Sequence, residues 1–282
     1  MSSKTKIGIV GLGLIGGSIE KALLASGTDY EILTVSKSQS REHSLEDLVD
    51  VDILFLCGTQ NEIPKQIEQI ASMISKARAT EQEHIPFSKT LITDVASTKT
   101  KISKLAENLG LENFVAGHPM AGTEHKGYES SFPTLFQDAN WVLSESSERT
   151  KLLESMITKD LGAKIVVMDA ETHDRGVALT SHLALVLSIA LGDMVDSLPQ
   201  VKQLIGPGFK SMTRLACGNA ELGREIISLN RENIKEIWEL YKQEVESLLE
   251  IYGSDLEKEL ELIKEKLNKL TAPVGLELAK CL

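Results

Sequence analysis

Three glycines near the start of this chain limit what it can fold into. Gly11, Gly13 and Gly16 form G-x-G-x-x-G directly after the β-rich run 6–10 and directly before the helical pattern 19–26. Strand, glycine turn and helix in that order call for a βαβ unit with a parallel partner strand. The first glycine permits the tight turn, the second lets a pyrophosphate approach the backbone, and the third lets helix and strand pack closely. The helix N-terminus behind them favours phosphate charge. A dinucleotide site formed by Gly11, Gly13, Leu14, Ile15 and Gly16 is expected; a glycine turn without a ligand is the alternative.

The pattern downstream extends that unit. Apolar runs at 31–35, 51–57, 90–95, 113–116, 141–144 and 163–168 read as strands. Residues 63–76, with Ile63, Ile67, Ile70 and Ile74 at helical spacing, and 99–109 read as helices. The alternation predicts an α/β fold with a Rossmann-type doubly wound, mostly parallel sheet over residues 1–168. Between 35 and 51 there is too little chain for a helix and a strand, so 36–45 is expected as a loop with at most a short helix. After Met168 only helical periods follow. Residues 169–282 are expected as an all-helical dimerisation and substrate domain, opening with one long apolar helix over about 171–197. A helix with so narrow a polar face needs cover on nearly every side. A partner subunit is the expected cover, giving a homodimer. The stretch 177–191 is interrupted by Thr180, Ser181, His182 and Ser188, and is expected to fall short of a membrane span. The charged segment 255–270 reads as a solvated surface helix.

A net charge of −11 lacks the basic footprint of a nucleic-acid binder, so an anionic ligand must meet a local basic pocket. Cys57, Cys217 and Cys281 are odd in number and far apart. They show neither disulfide nor metal-ligand spacing, which suits the cytoplasm. The first strand begins so near Met1 that no signal peptide is expected.

An NAD site usually places Asp or Glu about 20 residues beyond the last glycine. Here stand Ser36, Lys37, Ser38, Ser40 and Arg41 with no carboxylate among them. Hydroxyls and cations suit a 2′-phosphate, so NADP is expected over NAD; a polar loop with incidental charges is the other reading. Cys57, Asp94 and Ala96, at the ends of later strands, are placed in the same site.

The candidate chemistry lies further on. His118, in Gly117-His118-Pro119-Met120-Ala121-Gly122, follows the run 114–116 and is expected at a strand's C-terminal end, where open α/β sheets bind ligands. Ser97, in Asp94-Val95-Ala96-Ser97-Thr98-Lys99, reads equally as a helix N-cap or as a group turned to the same cleft. His182 interrupts the apolar helix, either as a satisfied core histidine or as a ligand-facing one. Arg214 follows a glycine turn and offers a fork for a carboxylate, or a surface ion pair.

GLGLIGGS, DVASTK, GHPMAGTEHKG, the SHL of the long helix and TRLACGNAEL resemble the prephenate/arogenate dehydrogenase family over nearly the whole chain. Within it the Ser-Lys-Ser-Gln-Ser segment is most similar to the NADP-dependent arogenate enzymes. The resemblance implies oxidative decarboxylation of an anionic cyclohexadienol. His118 would accept the ring-hydroxyl proton, Ser97 would hydrogen-bond that hydroxyl or His118, and Arg214 and His182 would hold carboxylates. The chain departs from the family in Cys57-Gly58-Thr59, in Ala220 and Gly223, and in Leu185, where prephenate-using members often carry a second histidine. That last difference leans toward arogenate. Prephenate dehydrogenase, a β-hydroxyacid dehydrogenase and a non-catalytic NADP-binding sensor are the alternatives.

Overall fold

A computed structural model describes residues 4–39, 43–123 and 125–271; Ser40, Arg41 and Cys281 lie outside the described residues. Strand β1 (Thr5–Val10) passes through the glycine turn into α1 (Leu14–Ala25) and returns as β2 (Tyr30–Val35). Then come β3 (Ile53–Leu56), α2 (Ile63–Ala79), β4 (Leu91–Asp94), α3 (Thr100–Asn108) and β5 (Phe114–Val115). These five strands form an all-parallel sheet of order β2-β1-β3-β4-β5. Among the described residues between β2 and β3 the chain makes one 3-10 turn, Leu45–Leu48, and no crossover helix, and β2 closes the sheet's edge.

Period-two alternation in the strands builds a core on each face of the sheet. Ile53 and Phe55 join Ile7, Ile9 and Val115 under Ile19 and Leu23 of α1. Leu54 and Leu56 join Val10 and Ile92 under Ile63, Ile67, Ile70 and Ile74 of α2. Each such enclosed side chain contributes about 1.5–3 kcal/mol. The strand ends are therefore held rigidly, and the ligand-binding loops project from them.

A second sheet follows. It comprises β6 (Gly117–Pro119), antiparallel to β7 (Asn140–Leu143), which pairs in parallel with β8 (Lys164–Val167). His118 therefore lies at the centre of β6, opposite Val142, and not at the end of the strand before it. The chain leaves the parallel sheet because Ser144 claims the linking residue. Its N–H donates to the Ala116 carbonyl at 2.9 Å, and its hydroxyl accepts from the Ala116 N–H at 3.1 Å. Helix α4 (Lys151–Ser155), prolonged by a π-helical turn at Met156–Asp160, joins β7 to β8.

Beyond β8 the described residues contain helices and their connections only. Helix α5 (Ala170–Val177), a π-helical turn at Ala178–His182 and α6 (Leu183–Asp196) make one continuous rod. Asp169 caps it, accepting from the N–H of Glu171 at 3.1 Å and of Thr172 at 2.9 Å. Asp169→Ala is expected to cost about 1 kcal/mol in urea denaturation. The rod runs 27 residues, and its most apolar 18-residue window has a mean hydropathy of 1.7. By length and composition alone it could cross a bilayer, contrary to the shorter stretch read from sequence, because the π turn carries the helix through Ser181 and His182 unbroken. Only 28% of its apolar window is buried, and Leu179, Ile189 and Met194 stand exposed. Helices α7 (Pro207–Thr213) and α8 (Ala220–Leu229) follow, the latter capped by Asn219.

Residues up to Ile234 form one compact unit and those from Lys235 another. Helix α9 (Arg231–Glu250) begins in the first and continues into the second, where Trp238 stacks on Tyr241. Helix α10 (Gly253–Thr271) carries the exposed pairs Lys258–Asp255 and Lys264–Glu261, as a solvated face should.

Candidate active site

A cavity of about 680 Å³ opens at the C-terminal ends of β1 and β2. It is lined by Gly11, Gly13, Ser36, Lys37, Ser38 and Cys57, all expected from sequence. The glycines explain themselves sterically. Gly11 adopts φ +101°, and a Cβ there would lie 2.7 Å from the Cys57 carbonyl oxygen. A Cβ on Gly16 would overlap the Gly11 carbonyl oxygen. Gly13 faces open space, and as N-cap of α1 it leaves that terminus without a side-chain cap or an acidic residue in the first turn. An open glycine cradle against an uncapped helix N-terminus fits a dinucleotide pyrophosphate. Gly16→Ala is expected to weaken nucleotide binding by more than about 10-fold, a loss of at least about 1.4 kcal/mol, read by fluorescence titration.

Leu14, Ile15 and Gly16 lie in the first turn of α1 behind this cavity and do not line it. The cavity wall includes Thr59, of the Cys57-Gly58-Thr59 segment, and residues that sequence reading passed over: Glu62, the N-cap of α2, Lys65, Gln66 and Gln69 from α2 itself, Glu46 from the 3-10 turn, and Gly127.

Asp94 and Ala96, also expected at the cofactor, turn inward. Asp94 is fully enclosed, and its carboxylate accepts from the N–H of Ala96 at 2.9 Å and of Gly117 at 3.1 Å. It also binds the ammonium of Lys99, which is itself 2% exposed and donates to the Gly117 carbonyl at 2.6 Å. One buried ion pair thus holds both polar groups of Gly117, the residue before His118. Burial pushes the Lys99 ammonium pKa down, with Asp94 opposing.

Ser97 is not the N-cap of α3. Asp174, from α5, performs that task at long range, accepting from the N–H of Lys99 at 2.7 Å and of Thr100 at 2.8 Å. The Gln60 amide oxygen instead accepts from the Ser97 hydroxyl at 2.5 Å and from its N–H at 2.8 Å. Ser97, His118 and His182 then line one cavity of about 280 Å³, with Pro119, Gly122, Val177, Ser181 and Ile226. Three of the four expected catalytic and substrate residues converge there. Arg214 does not line it. It starts an exposed 3-10 turn, Arg214–Cys217, tied to α6 by the Ala216 N–H on Ser188 Oγ at 2.9 Å.

His118 is half-buried. Burial foremost, then the charge of Lys99, and then His173 and His182, hold its pKa well below the ordinary 6.5. His182 is 2% exposed, and burial lowers its pKa to about 4. Its Nδ1 faces the Asn230 amide nitrogen at 2.9 Å. That amide also donates to the Asp174 carbonyl, while its oxygen accepts from Asn233. Asn230 is thereby oriented as a donor, so His182 accepts at Nδ1 and keeps its proton on Nε2, the nitrogen left for the cavity. In the unfolded chain His182 takes up a proton near pH 6.5, in the fold only near pH 4. Stability should therefore be complete above pH 6.5 and fall by about 3 kcal/mol between there and pH 4 through this residue. Urea midpoints across that range check it, and His182→Gln should flatten the decline.

The nearness of His173 and Asp174 to His118 was also missed. The signal present in the sequence was a histidine and an acid in the first turns of the rod, on the side that carries His182 two turns later.

Known proteins resemble most of the chain. Residues 33–167 match the family model for the prephenate dehydrogenase nucleotide-binding domain, and residues 169–265 that for its dimerization domain. Prephenate dehydrogenase of Lactococcus lactis is 30% identical over 246 residues, 80% of this chain; the chain spans 65% of that relative's length. Among solved structures, Synechocystis arogenate dehydrogenase superposes with a TM-score of 0.79 at 28% identity, covering 94% of this chain and 99% of that one. A prephenate dehydrogenase from A. aeolicus, solved with hydroxyphenyl propionate and NAD+, gives 0.77 at 25% identity, covering 98% and 99%.

Proposed function

The chain belongs to the prephenate/arogenate dehydrogenase family, and on that premise we propose that it converts arogenate to tyrosine by oxidative decarboxylation with NADP. The observation that carries this reading is the meeting of His118, Ser97 and His182 in one cavity. We place the nucleotide on residues 1–168 and substrate binding and homodimerisation on 169–282. The half-exposed apolar rod supports the homodimer. The free thiols Cys57 and Cys217 support a cytoplasmic setting.

Gly11, Gly13, Ser36, Lys37 and Ser38 would hold the nucleotide, whose nicotinamide when bound takes the hydrogen and its electron pair from the carbinol carbon. His118 accepts the proton of the ring hydroxyl through Nε2. A neutral imidazole can do so at pH 7, and the low pKa keeps it neutral. As carbon dioxide leaves the opposite ring carbon, the electron pair of the broken bond completes the aromatic ring, and the phenolate oxygen takes the proton back from His118 to become a phenol. Ser97, held by Gln60, orients the hydroxyl. His182 donates from Nε2 to a substrate carboxylate, and Arg214 supplies a second, charged contact. Its guanidinium is exposed and has no ion-pair partner among the described residues.

The 2′-phosphate reading rests on Ser36, Lys37 and Ser38 in the cavity wall, and the arogenate reading on Leu185 in place of a histidine. A second reading, prephenate with NAD, draws on the Glu46 carboxylate in the same wall and on the NAD+ bound to the A. aeolicus enzyme. Steady-state assays with arogenate and prephenate, each with NADP and NAD, decide between them. The highest kcat/KM is expected for arogenate with NADP, and absence of turnover in all four sinks the enzyme reading. The kcat/KM plateau should extend below pH 6.5 and fall only as pH drops through the depressed His118 value.

A further inference from the structure

Two side chains outside the catalytic cavity's lining connect to His118 in series. His118 Nδ1 lies 2.9 Å from His173 Nε2. His173 Nδ1 lies 2.8 Å from Asp174 Oδ1. His173 and Asp174 are 2% and 4% exposed. The direction of each hydrogen bond follows from its far end. Against burial, which opposes ionisation, bonds from His173 and from the Thr100 and Lys99 N–H groups hold the Asp174 carboxyl below the usual range. It is ionised at neutral pH and can only accept. His173 must therefore donate from Nδ1, and when neutral it accepts at Nε2. His118 must then donate from Nδ1, leaving a bare lone pair on Nε2.

We propose that Asp174 and His173 are positioning residues that fix His118 in the Nδ1–H tautomer and stabilise the imidazolium formed when Nε2 takes the substrate proton. The proposal rests on the reading of His118 as the base. No co-reactant is needed. Until it returns to the product oxygen the proton stays on Nε2, or one proton shifts along the line from His118 Nδ1 to His173 Nε2 and back, while the Asp174 charge balances the extra cation. The groups facing His118 are Lys99 from the turn before α3, His173 and Asp174 from α5, and His182 from the π turn. Of these only Asp174 favours the protonated form. A tautomer lock of this kind gives Asp174 two duties, because the same carboxylate caps α3 and so fixes the chain that leads to Ser97.

The test is two-part. In the resting wild-type protein, two-bond ¹⁵N–¹H spectra of the imidazole rings should show His118 and His173 each protonated on Nδ1. A proton on Nε2 of His118 overturns the proposal whatever the enzyme's substrate proves to be. In the enzyme, Asp174→Asn keeps a capping oxygen for α3, and His173→Phe keeps a ring in place. Each should lower kcat by on the order of 10–100-fold, with substrate KM and nucleotide Kd within about threefold. Asp174→Asn should also move the acid limb of kcat/KM to lower pH, because it removes the one charge that raises His118. A fall in kcat without movement of that limb, or no fall at all, contradicts the proposal. A wild-type protein that turns over neither cyclohexadienol would overturn the function while leaving the tautomer result to stand or fall separately.

Discussion

His118→Asn is expected to lower kcat by about 10²–10⁴-fold, the usual worth of a positioned general base. Asn can still donate toward His173 Nε2, so the line to Asp174 keeps its last partner, and the change removes little but the lone pair that takes the proton. His118 lies outside the nucleotide cavity's lining. The Kd for NADP should therefore stay within about twofold, and KM should move far less than kcat, the pattern of a lost transition-state interaction. Collapse of nucleotide binding would instead make His118 a structural residue. Near-wild-type kcat would move the base elsewhere.

The largest effect on stability is expected at Asp94 and Lys99. Both are enclosed, and each has the other as its compensating charge. Asp94→Ala strands a buried ammonium and removes the acceptor for the Gly117 N–H. Lys99→Met strands a carboxylate and leaves the Gly117 carbonyl without its donor. Either should cost about 3–5 kcal/mol in urea denaturation. The double variant should cost less than the sum of the singles, since no unpaired charge remains. Its residual loss reflects the two bonds to Gly117 and the one from the Ala96 N–H, about 0.5–1.5 kcal/mol each. Additive losses in the double variant would mean that the two groups do not compensate each other. Because Gly117 precedes His118, partial activity loss should accompany the loss of stability even where the variants fold.

Most of the architecture was legible because it is written in local patterns. Ile53-Leu54-Phe55-Leu56 is buried on both faces and reads as a central strand. The i, i+3, i+4 spacing of Ile63 to Ile74 reads as a helix, and the short interval between β2 and β3 left room only for the 3-10 turn that is found there. The nucleotide loop was legible for the same reason, since three glycines and the helix start lie within one turn of chain. What escaped were the side-chain partnerships across long separations. Asp94 ends strand β4 like a cofactor-binding acid, and nothing local announces that Lys99 will fold back onto it. Ser97 stands where an N-cap should, but the cap comes from Asp174, 75 residues away from Lys99. His118 was placed at the end of the preceding strand because the Ser144 bonds to Ala116 that divert the chain into a second sheet depend on a residue 28 positions later. Arg214 remains apart from the cavity within a single chain, and the carboxylate-binding role proposed for it rests on the resemblance of TRLACGNAEL to the family.

Stoichiometry of products tests the proposed chemistry most directly. Incubating the protein with arogenate and NADP, and measuring reduced nucleotide, carbon dioxide and tyrosine in the same sample, should give the three in equal amounts. Reduced nucleotide without carbon dioxide, or carbon dioxide without reduced nucleotide, would contradict an aromatising oxidative decarboxylation at His118.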